Sequence, residues 1–206
     1  TRGRNLKPWD PKSYWTYDAS WAQASNTPFR LYKQNQHEGG ISSPLIVHWP
    51  EGLKTKPGSI TRQPGHLIDF MATFIELSGA KYPKQVGARA IDPLEGKSLL
   101  PIFQGEERDG HENLYFHFGT DRALRQGKWK LVSAKGGKWE LYDLEKDRTE
   151  LNDLSSKYSD RVKEMSKLWF DIAKNKDRLI KKGLWPVKGQ LKKISFRKDT
   201  SGQLKE

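Results

Sequence analysis

The chain contains 206 residues with a mass of 23.8 kDa, a length that fits one large domain or one and a half. The absence of cysteine excludes disulfides, thiolate metal sites and a cysteine nucleophile. The aromatic content of 11% argues against whole-chain disorder, and no apolar run reaches the ~18 residues of a transmembrane helix. The net charge of +12 suggests an anionic partner, but residues 171–206, with 11 basic and 4 acidic side chains, carry more than half of it.

The first part of the chain predicts few regular elements. Residues 1–40 show no period and are interpreted as a long irregular segment. The apolar run at 44–50 predicts a buried strand, in which His48 is expected to be a core histidine. Helical spacing of apolar residues predicts a helix over 66–78, with Asp69 expected to face solvent. One strand and one helix cannot form a core, so we expect that an N-terminal portion of this domain is missing.

After residue 111 the hydrophobic pattern changes to a period of two. This period, with glycine-containing turns, predicts three or four antiparallel strands. They are expected at 114–118, 122–125, 128–132 and 138–142. Trp129 and Leu131 alternate with polar residues, so we expect one buried sheet face and one face in solvent.

An apolar stripe predicts a helix at about 159–175, which would cover the buried face of the small sheet. The sequence therefore predicts an α/β protein in three parts. Residues 1–110 would be the remnant of an α/β domain, residues 111–175 a small antiparallel sheet with its helix, and residues 176–206 a basic tail.

The segment 33–41, KQNQHEGGI, is the main candidate for chemistry. Lys33 supplies a compact positive charge for an anion, His37 can exchange a proton with a leaving oxygen, and Glu38 can orient one of them. Gly39 and Gly40 allow close approach of a ligand or a positive φ. The alternative is a solvated lysine beside a simple turn, which is the commoner role of a lysine in such a loop.

Other motifs give little support for a site. The sequence contains no phosphate-binding loop, zinc-protease motif or serine-hydrolase motif, and its five histidines lack metal-ligand spacing, so no metal site is predicted. Four aromatic residues could stack on bases or sugars, but their periods favour packing in the core of the small domain. These residues are Trp129, Trp139, Tyr142 and Trp169. The dispersed lysine pairs of the tail favour a solvated or glycan-contacting segment and disfavour nucleic acid.

Several segments match one family in the same order. Residues 33–41 resemble the pattern K-x-x-x-Y/H-E-G-G-I, and residues 69–99 resemble a second stretch that ends in G-x-S-L. Residues 122–131 resemble R-A-V/L-R-x-G-x-W-K-L, and residues 139–154 resemble E-L-Y-D-L-x-x-D-P-x-E-x-x-N-L. With a match over about residues 26–175, the chain resembles the C-terminal half of a formylglycine-dependent sulfatase of the alkaline phosphatase superfamily.

This resemblance implies the C-terminal part of an alkaline-phosphatase-like α/β sandwich, followed by the small sheet and its helix. It implies that Lys33 contacts the sulfate group in a catalytic and substrate-binding role, and we extend both roles to His37 and a substrate-binding role to Glu38. The family also implies a calcium ion and a formylglycine made from Cys or Ser. Neither the C/S-x-P-x-R motif nor the calcium ligands occur in this sequence, so we expect the chain alone to be inactive.

The leading hypothesis is a sulfatase that hydrolyses sulfate esters, with a sulfated polysaccharide as a candidate substrate and a periplasmic or extracellular location implied by the family. An enzyme alternative is a phosphonate or phosphodiester hydrolase of the same superfamily. A non-enzyme alternative is a basic module that binds anionic glycans or nucleic acid.

Overall fold

The computed structural model describes residue 7, residues 10–12 and residues 18–177. These residues form two compact units. The sheet unit consists of the described residues up to 43 together with residues 113–177, and the helix unit consists of residues 44–112. Residues 18–43, which the sequence placed with the first domain, thus group with the small sheet. The predicted basic tail beyond 177 lies outside the described residues.

Three helices precede the first strand of the described residues, and one helix follows the last strand. The helices are α1 (Ala19–Ser25), α2 (Glu38–Ile41), α3 (Asp69–Ser78), α4 (Leu100–Phe103) and α5 (Ser159–Lys176). The strands are β1 (Gln85–Val86), β2 (Arg89–Ala90), β3 (Leu114–Phe118), β4 (Asp121–Gln126), β5 (Trp129–Ser133) and β6 (Glu140–Asp143). Within this part of the chain, no helix combines the length and apolarity required to cross a membrane.

The sheet unit is built on four antiparallel strands in the order β3-β4-β5-β6. Leu131 of β5 lies opposite Leu124 of β4 and Leu141 of β6. Gly127, with a φ of +56°, makes the tight turn between β4 and β5, a conformation that favours glycine. The period of two in the sequence therefore predicted this sheet correctly.

One face of the sheet carries the apolar core of this unit. Leu124, Leu131 and Leu141 are fully buried against Met165 and Trp169 of α5. Trp129 and Trp139 pack partly buried around the same cluster, and Tyr142 is buried on the opposite face. The predicted covering helix and the predicted packing role of the aromatic residues are confirmed.

The opposite face was expected to lie in solvent, and this prediction is wrong. Lys130 is fully buried there, beside a second cluster that contains Ala123, Val132 and Tyr142. Residues 30–41 pack over this face through hydrogen bonds and ion pairs. The alternation of polar and apolar residues was real, but the polar side chains are covered by a distant segment of the chain rather than by water.

In the helix unit, α3 confirms the predicted helix, although it begins at Asp69 rather than at residue 66. Its apolar side chains face outward: Met71 is 54% exposed and Phe74 is 63% exposed. The buried side chains of α3 include Asp69 and Thr73. The expectation that Asp69 faces solvent is wrong, because its carboxylate gathers four hydrogen bonds inside this unit.

The strand predicted at 44–50 does not form. These residues have no regular structure, and Ile46 is 88% exposed. His48 is also exposed, so the expectation of a core histidine is wrong. A strand needs a neighbour to receive its backbone hydrogen bonds, and no described residue pairs with this run.

The segment 1–40 was expected to be irregular, but α1 lies within it and α2 begins within it and ends at Ile41. Asp18 caps α1 by accepting a hydrogen bond from the Ser20 amide at 3.1 Å. A helix of seven residues is too short to show a clear amphipathic period, which explains why the sequence pattern did not reveal it. The four-residue α2 begins directly after His37.

Candidate functional site

The candidate site is the lysine loop, which we define as residues 30–41. Lys33 is exposed, and its ammonium group has no hydrogen bond or ion pair with any described residue. Leu31 and Gln34 on either side of it have φ values of +62° and +78°. A positive φ costs a residue with a β-carbon on the order of 1 kcal/mol, and such strain persists only where surrounding contacts impose it.

Contacts with α1 impose part of this conformation. The Gln23 side chain accepts a hydrogen bond from the Leu31 amide at 2.8 Å, and the Asn26 side chain donates to the Leu31 carbonyl at 3.1 Å. Both backbone groups of Leu31 are thus satisfied by side chains of one helix or its cap. The backbone immediately before Lys33 is therefore fixed.

The glycine pair closes the loop on itself. A β-carbon at Gly39 would collide with the carbonyl oxygens of Arg30 and Leu31, and one at Gly40 would collide with the Asn35 carbonyl oxygen. The Gly39 amide donates to the Arg30 carbonyl at 2.9 Å. The two glycines are therefore required for close backbone approach within the loop itself, whereas the close approach of a ligand that the sequence suggested remains a prediction.

Glu38 anchors the end of the loop to the sheet. Lys130 Nζ lies 2.8 Å from Glu38 Oε1 and 2.8 Å from Glu150 Oε1. The backbone amide of Glu38 donates to Glu150 Oε2 at 2.7 Å. All three side chains are almost completely buried. This arrangement gives a buried lysine two carboxylate partners, which is the condition under which a buried charge is tolerated.

A second polar group joins the beginning of the loop to its end. Glu140 Oε2 accepts from the Tyr142 hydroxyl at 2.5 Å and lies 3.1 Å from His37 Nε2 and 3.4 Å from Arg30 Nη1. The hydrogen bond from His37 is the largest influence on Glu140. Together with the hydrogen bond from Tyr142 and the charge of Arg30, it outweighs partial burial and lowers the pKa of Glu140 to about 2. Burial, and then the hydrogen bond to Glu140, raises the pKa of Tyr142.

The structure brings the three predicted site residues into one loop but gives them different surroundings. Lys33 faces solvent, whereas His37 is 0% exposed and Glu38 is 3% exposed. The side chains of His37 and Glu38 contact the small sheet through Glu140 and Lys130. The roles predicted for His37 and Glu38 remain predictions.

The sequence did not indicate that Lys130, Glu140 and Glu150 belong to this site. Each lies more than 90 positions from the loop residue that it contacts. Of these three residues, Lys130 gave a local signal. It lies in an apolar strand opposite Tyr142, and a lysine that is buried there requires a partner of opposite charge.

The helix unit contains a separate polar centre at Asp69. Its carboxylate accepts hydrogen bonds from the His66 amide at 2.8 Å, the Lys97 amide at 2.9 Å and Arg108 Nη2 at 2.8 Å, and it lies 2.6 Å from His111 Nε2. Burial opposes its ionisation, but these donors outweigh burial and lower its pKa. Asp69 thus joins the start of α3 to the segments around residues 97 and 108–111.

Neither the calcium ion nor the formylglycine implied by the resemblance fits the residues present. No three His, Asp or Glu side chains of the described residues are arranged to hold a metal ion. The complete chain lacks cysteine and the C/S-x-P-x-R motif. No chemical step is therefore assigned to either group in this chain.

A family model described as N-sulphoglucosamine sulphohydrolase, C-terminal, matches residues 29–176. The chain belongs to this sulfatase family. The match includes the whole lysine loop, the four-stranded sheet and α5, and it confirms the resemblance drawn from the sequence motifs. The site geometry above is therefore the geometry of a sulfatase C-terminal region.

Two curated relatives show how much of a sulfatase is represented. Steryl-sulfatase of Mus musculus is 36% identical over 110 residues, which make up 53% of this chain and 16% of that protein. N-acetylgalactosamine-6-sulfatase of Canis lupus familiaris is 32% identical over 106 residues, 52% of this chain and 19% of that protein. The aligned region thus spans less than a fifth of either relative.

A solved structure supports the fold. The crystal structure of Ps i-CgsB in complex with k-i-k-neocarrahexaose matches this chain with a TM-score of 0.57 at 25% identity, covering 70% of this chain and 32% of that chain. The predicted α/β fold class is confirmed by this similarity.

Proposed function

We propose that this chain is the C-terminal part of an enzyme that hydrolyses sulfate esters, and that Lys33 contacts the sulfate group of the substrate. The observation that carries the proposal is the exposed ammonium group of Lys33 in a loop whose two ends are bonded to the small sheet. Membership of the sulfatase family supports the reaction class.

The chemistry requires a cation at this place. Hydrolysis adds water across the ester, breaks an S–O bond and releases an alcohol and sulfate. Negative charge on the sulfate oxygens and on the leaving oxygen must be stabilised as the bond breaks, and a fixed ammonium group can do this without rearranging during the reaction. Lys33 meets this requirement because it is solvent-accessible while the backbone around it is held in place.

We extend the proposal to the substrate class and the location. A sulfated polysaccharide is the proposed natural substrate, supported by the structural relative that was solved with a neocarrahexaose. A periplasmic or extracellular location is proposed on the family resemblance. The calcium ion and the formylglycine belong to the proposal only as family properties, and they would be supplied by residues outside this sequence.

The test uses the complete polypeptide that contains this chain, with 4-nitrophenyl sulfate and a sulfated oligosaccharide as substrates. Lys33→Ala is expected to lower kcat/KM by roughly 10²–10³-fold, the loss typical of removing one electrostatic contact to the transition state. Lys167→Ala removes an exposed lysine from α5 and is the matched control, expected to keep full activity.

Three outcomes would contradict the proposal. Unchanged kcat/KM in Lys33→Ala would remove Lys33 from the site. Hydrolysis of bis(4-nitrophenyl) phosphate with no hydrolysis of sulfate esters would favour the phosphodiesterase alternative. Sulfate-ester hydrolysis by residues 1–206 alone would overturn the expectation that the nucleophile lies outside this sequence.

A further inference from the structure

Lys130 is a fully buried cation that the proposed function does not use directly. Its side chain is 0% exposed, and it lies between two carboxylates that come from different parts of the chain, Glu38 and Glu150. Moving a lysine and two carboxylates out of water is costly, and a pair of this kind contributes little net stability compared with apolar side chains. Its position relative to the lysine loop suggests a role other than stability.

Both ends of the lysine loop meet at the same two acidic residues. Arg30, at the beginning of the loop, donates to the Glu150 carbonyl at 2.8 Å and lies 3.4 Å from Glu140 Oε2. At the end of the loop, His37 lies 3.1 Å from the same Glu140 oxygen, and the Glu38 amide donates to Glu150 Oε2. The loop is thus closed through Glu140 and Glu150, although its own sequence holds only the Gly39-to-Arg30 hydrogen bond across its base.

We propose that Lys130 is a positioning residue for Lys33. Lys130 places one positive charge between the carboxylates of Glu38 and Glu150, which lets both stay buried at the base of the loop, and this fixes the direction in which Lys33 extends. The role of Lys33 in this inference rests on the proposed function. The closure of the loop by Lys130 is a property of this chain and is measured separately.

The energetic reason is preorganisation. A lysine has four rotatable side-chain bonds, so a mobile loop beneath it would add backbone freedom that substrate binding must remove. Misplacement of a binding group by about 1 Å can lower a rate by about 10²-fold. A rigid base leaves only the lysine side chain to be ordered when the sulfate arrives.

The first experiment measures loop closure in the chain itself by amide hydrogen exchange. Lys130→Met removes the charge and keeps an unbranched side chain, and it is expected to raise exchange of the Glu38 and Gly39 amides at least about tenfold. Glu150→Gln, which keeps an acceptor oxygen, is expected to give a smaller increase and serves as the second variant if Lys130→Met does not fold. Lys128→Met removes the Asp143 ion pair from the same strand region and is expected to leave both amides unchanged.

The inference would be overturned if Lys130→Met left the exchange rates of the Glu38 and Gly39 amides unchanged. If Lys130→Met does not fold, unchanged rates in Glu150→Gln would overturn it instead. An equal increase in Lys128→Met would do the same, because the effect would then be general loosening of the sheet.

The second experiment is a double-mutant cycle in the complete polypeptide, with 4-nitrophenyl sulfate. Lys130→Met is expected to lower kcat by about 10- to 100-fold when Lys33 is present and to have almost no further effect in a Lys33→Ala background. Lys130→Arg, which retains the charge, is expected to restore part of kcat. A purely structural role of Lys130 would instead lower activity by the same factor in both backgrounds.

These outcomes separate the two proposals. Equal effects of Lys130→Met in both backgrounds, with Lys33→Ala strongly impaired, would overturn the positioning role and leave the proposed function intact. Full activity in Lys33→Ala would overturn the proposed function and the positioning role together.

Discussion

The sheet unit and the helix unit use apolar and polar side chains in opposite ways. The sheet unit holds both clusters of buried apolar residues found among the described residues, and Trp169 is fully buried in one of them. In the helix unit, Phe74 and Leu67 of the α3 region are 63% and 75% exposed, while Asp69 is fully buried. The first unit is organised around a hydrophobic core and the second around a hydrogen-bonded carboxylate.

This difference shows which parts of the chain are structurally self-sufficient. Four paired strands and a covering helix bury their apolar faces against each other, so the sheet unit meets the requirement for a stable core. The helix unit leaves an amphipathic helix and the apolar run at 44–50 without a covering layer among the described residues.

The largest expected effect is the difference in stability between removing a buried and removing an exposed aromatic side chain. Trp169→Ala removes a fully buried indole from the core and is expected to lower the free energy of unfolding by about 3–5 kcal/mol. Phe74→Ala removes an exposed ring and is expected to change it by less than about 0.5 kcal/mol. Denaturant unfolding followed by circular dichroism measures both. A large loss in Phe74→Ala would mean that α3 is covered in solution and would remove the contrast between the units.

Asp69→Ala tests the polar centre of the helix unit. The substitution leaves Arg108 and two backbone amides without their buried acceptor, so we expect a loss of about 3 kcal/mol, confined to residues 44–112. Hydrogen exchange of the α3 amides would report it, while amides of β4 and β5 should remain protected. Asp109→Ala changes an exposed carboxylate in the same segment and is the control. Equal protection of α3 in both variants would show that Asp69 does not organise this unit.

The smallest expected effect concerns acid stability of the sheet unit. The pKa of Glu140 falls from 4.5 to about 2 on folding, mainly through the hydrogen bond from His37. The stability that this carboxylate adds is therefore fully present above pH 4.5 and is lost as the pH falls towards 2. Because Glu140 is partly exposed, we expect a contribution on the order of 1–2 kcal/mol.

Glu140→Gln should consequently flatten the pH dependence of unfolding between pH 4.5 and 2. Glu145→Gln, on an exposed turn, should not. If the two variants and the unsubstituted chain show parallel curves, Glu140 is not bonded to the lysine loop in solution.

Much of the fold followed from local patterns in the sequence. The period of two located all four strands of the small sheet, and the apolar stripe located α5, because each of these elements buries one face of its own side chains. The short α1 was missed because seven residues carry too few turns to show a period. The strand expected at 44–50 does not form, although its apolar pattern is strong, because no described strand pairs with it.

The candidate site was only partly predictable. Lys33 and the glycine pair were found because they lie together in the sequence, but the close contact of the glycines with the backbone of their own loop was not foreseen. The buried state of His37 and Glu38 was not foreseen, because it depends on Glu140 and Lys130, more than 90 positions away. Period-two alternation indicates which face a residue occupies, but it cannot show what covers that face.

The buried contact between Lys130, Glu38 and Glu150 has a consequence for sequence change. Loss of Lys130 leaves two carboxylates inside the protein without the cation between them, whereas exchange of all three for neutral side chains of similar volume removes the charges together. A stepwise exchange of the three residues for neutral side chains therefore passes through a state with an unpaired buried charge. We therefore expect these three residues, spread over 113 positions of the chain, to be exchanged together rather than one at a time.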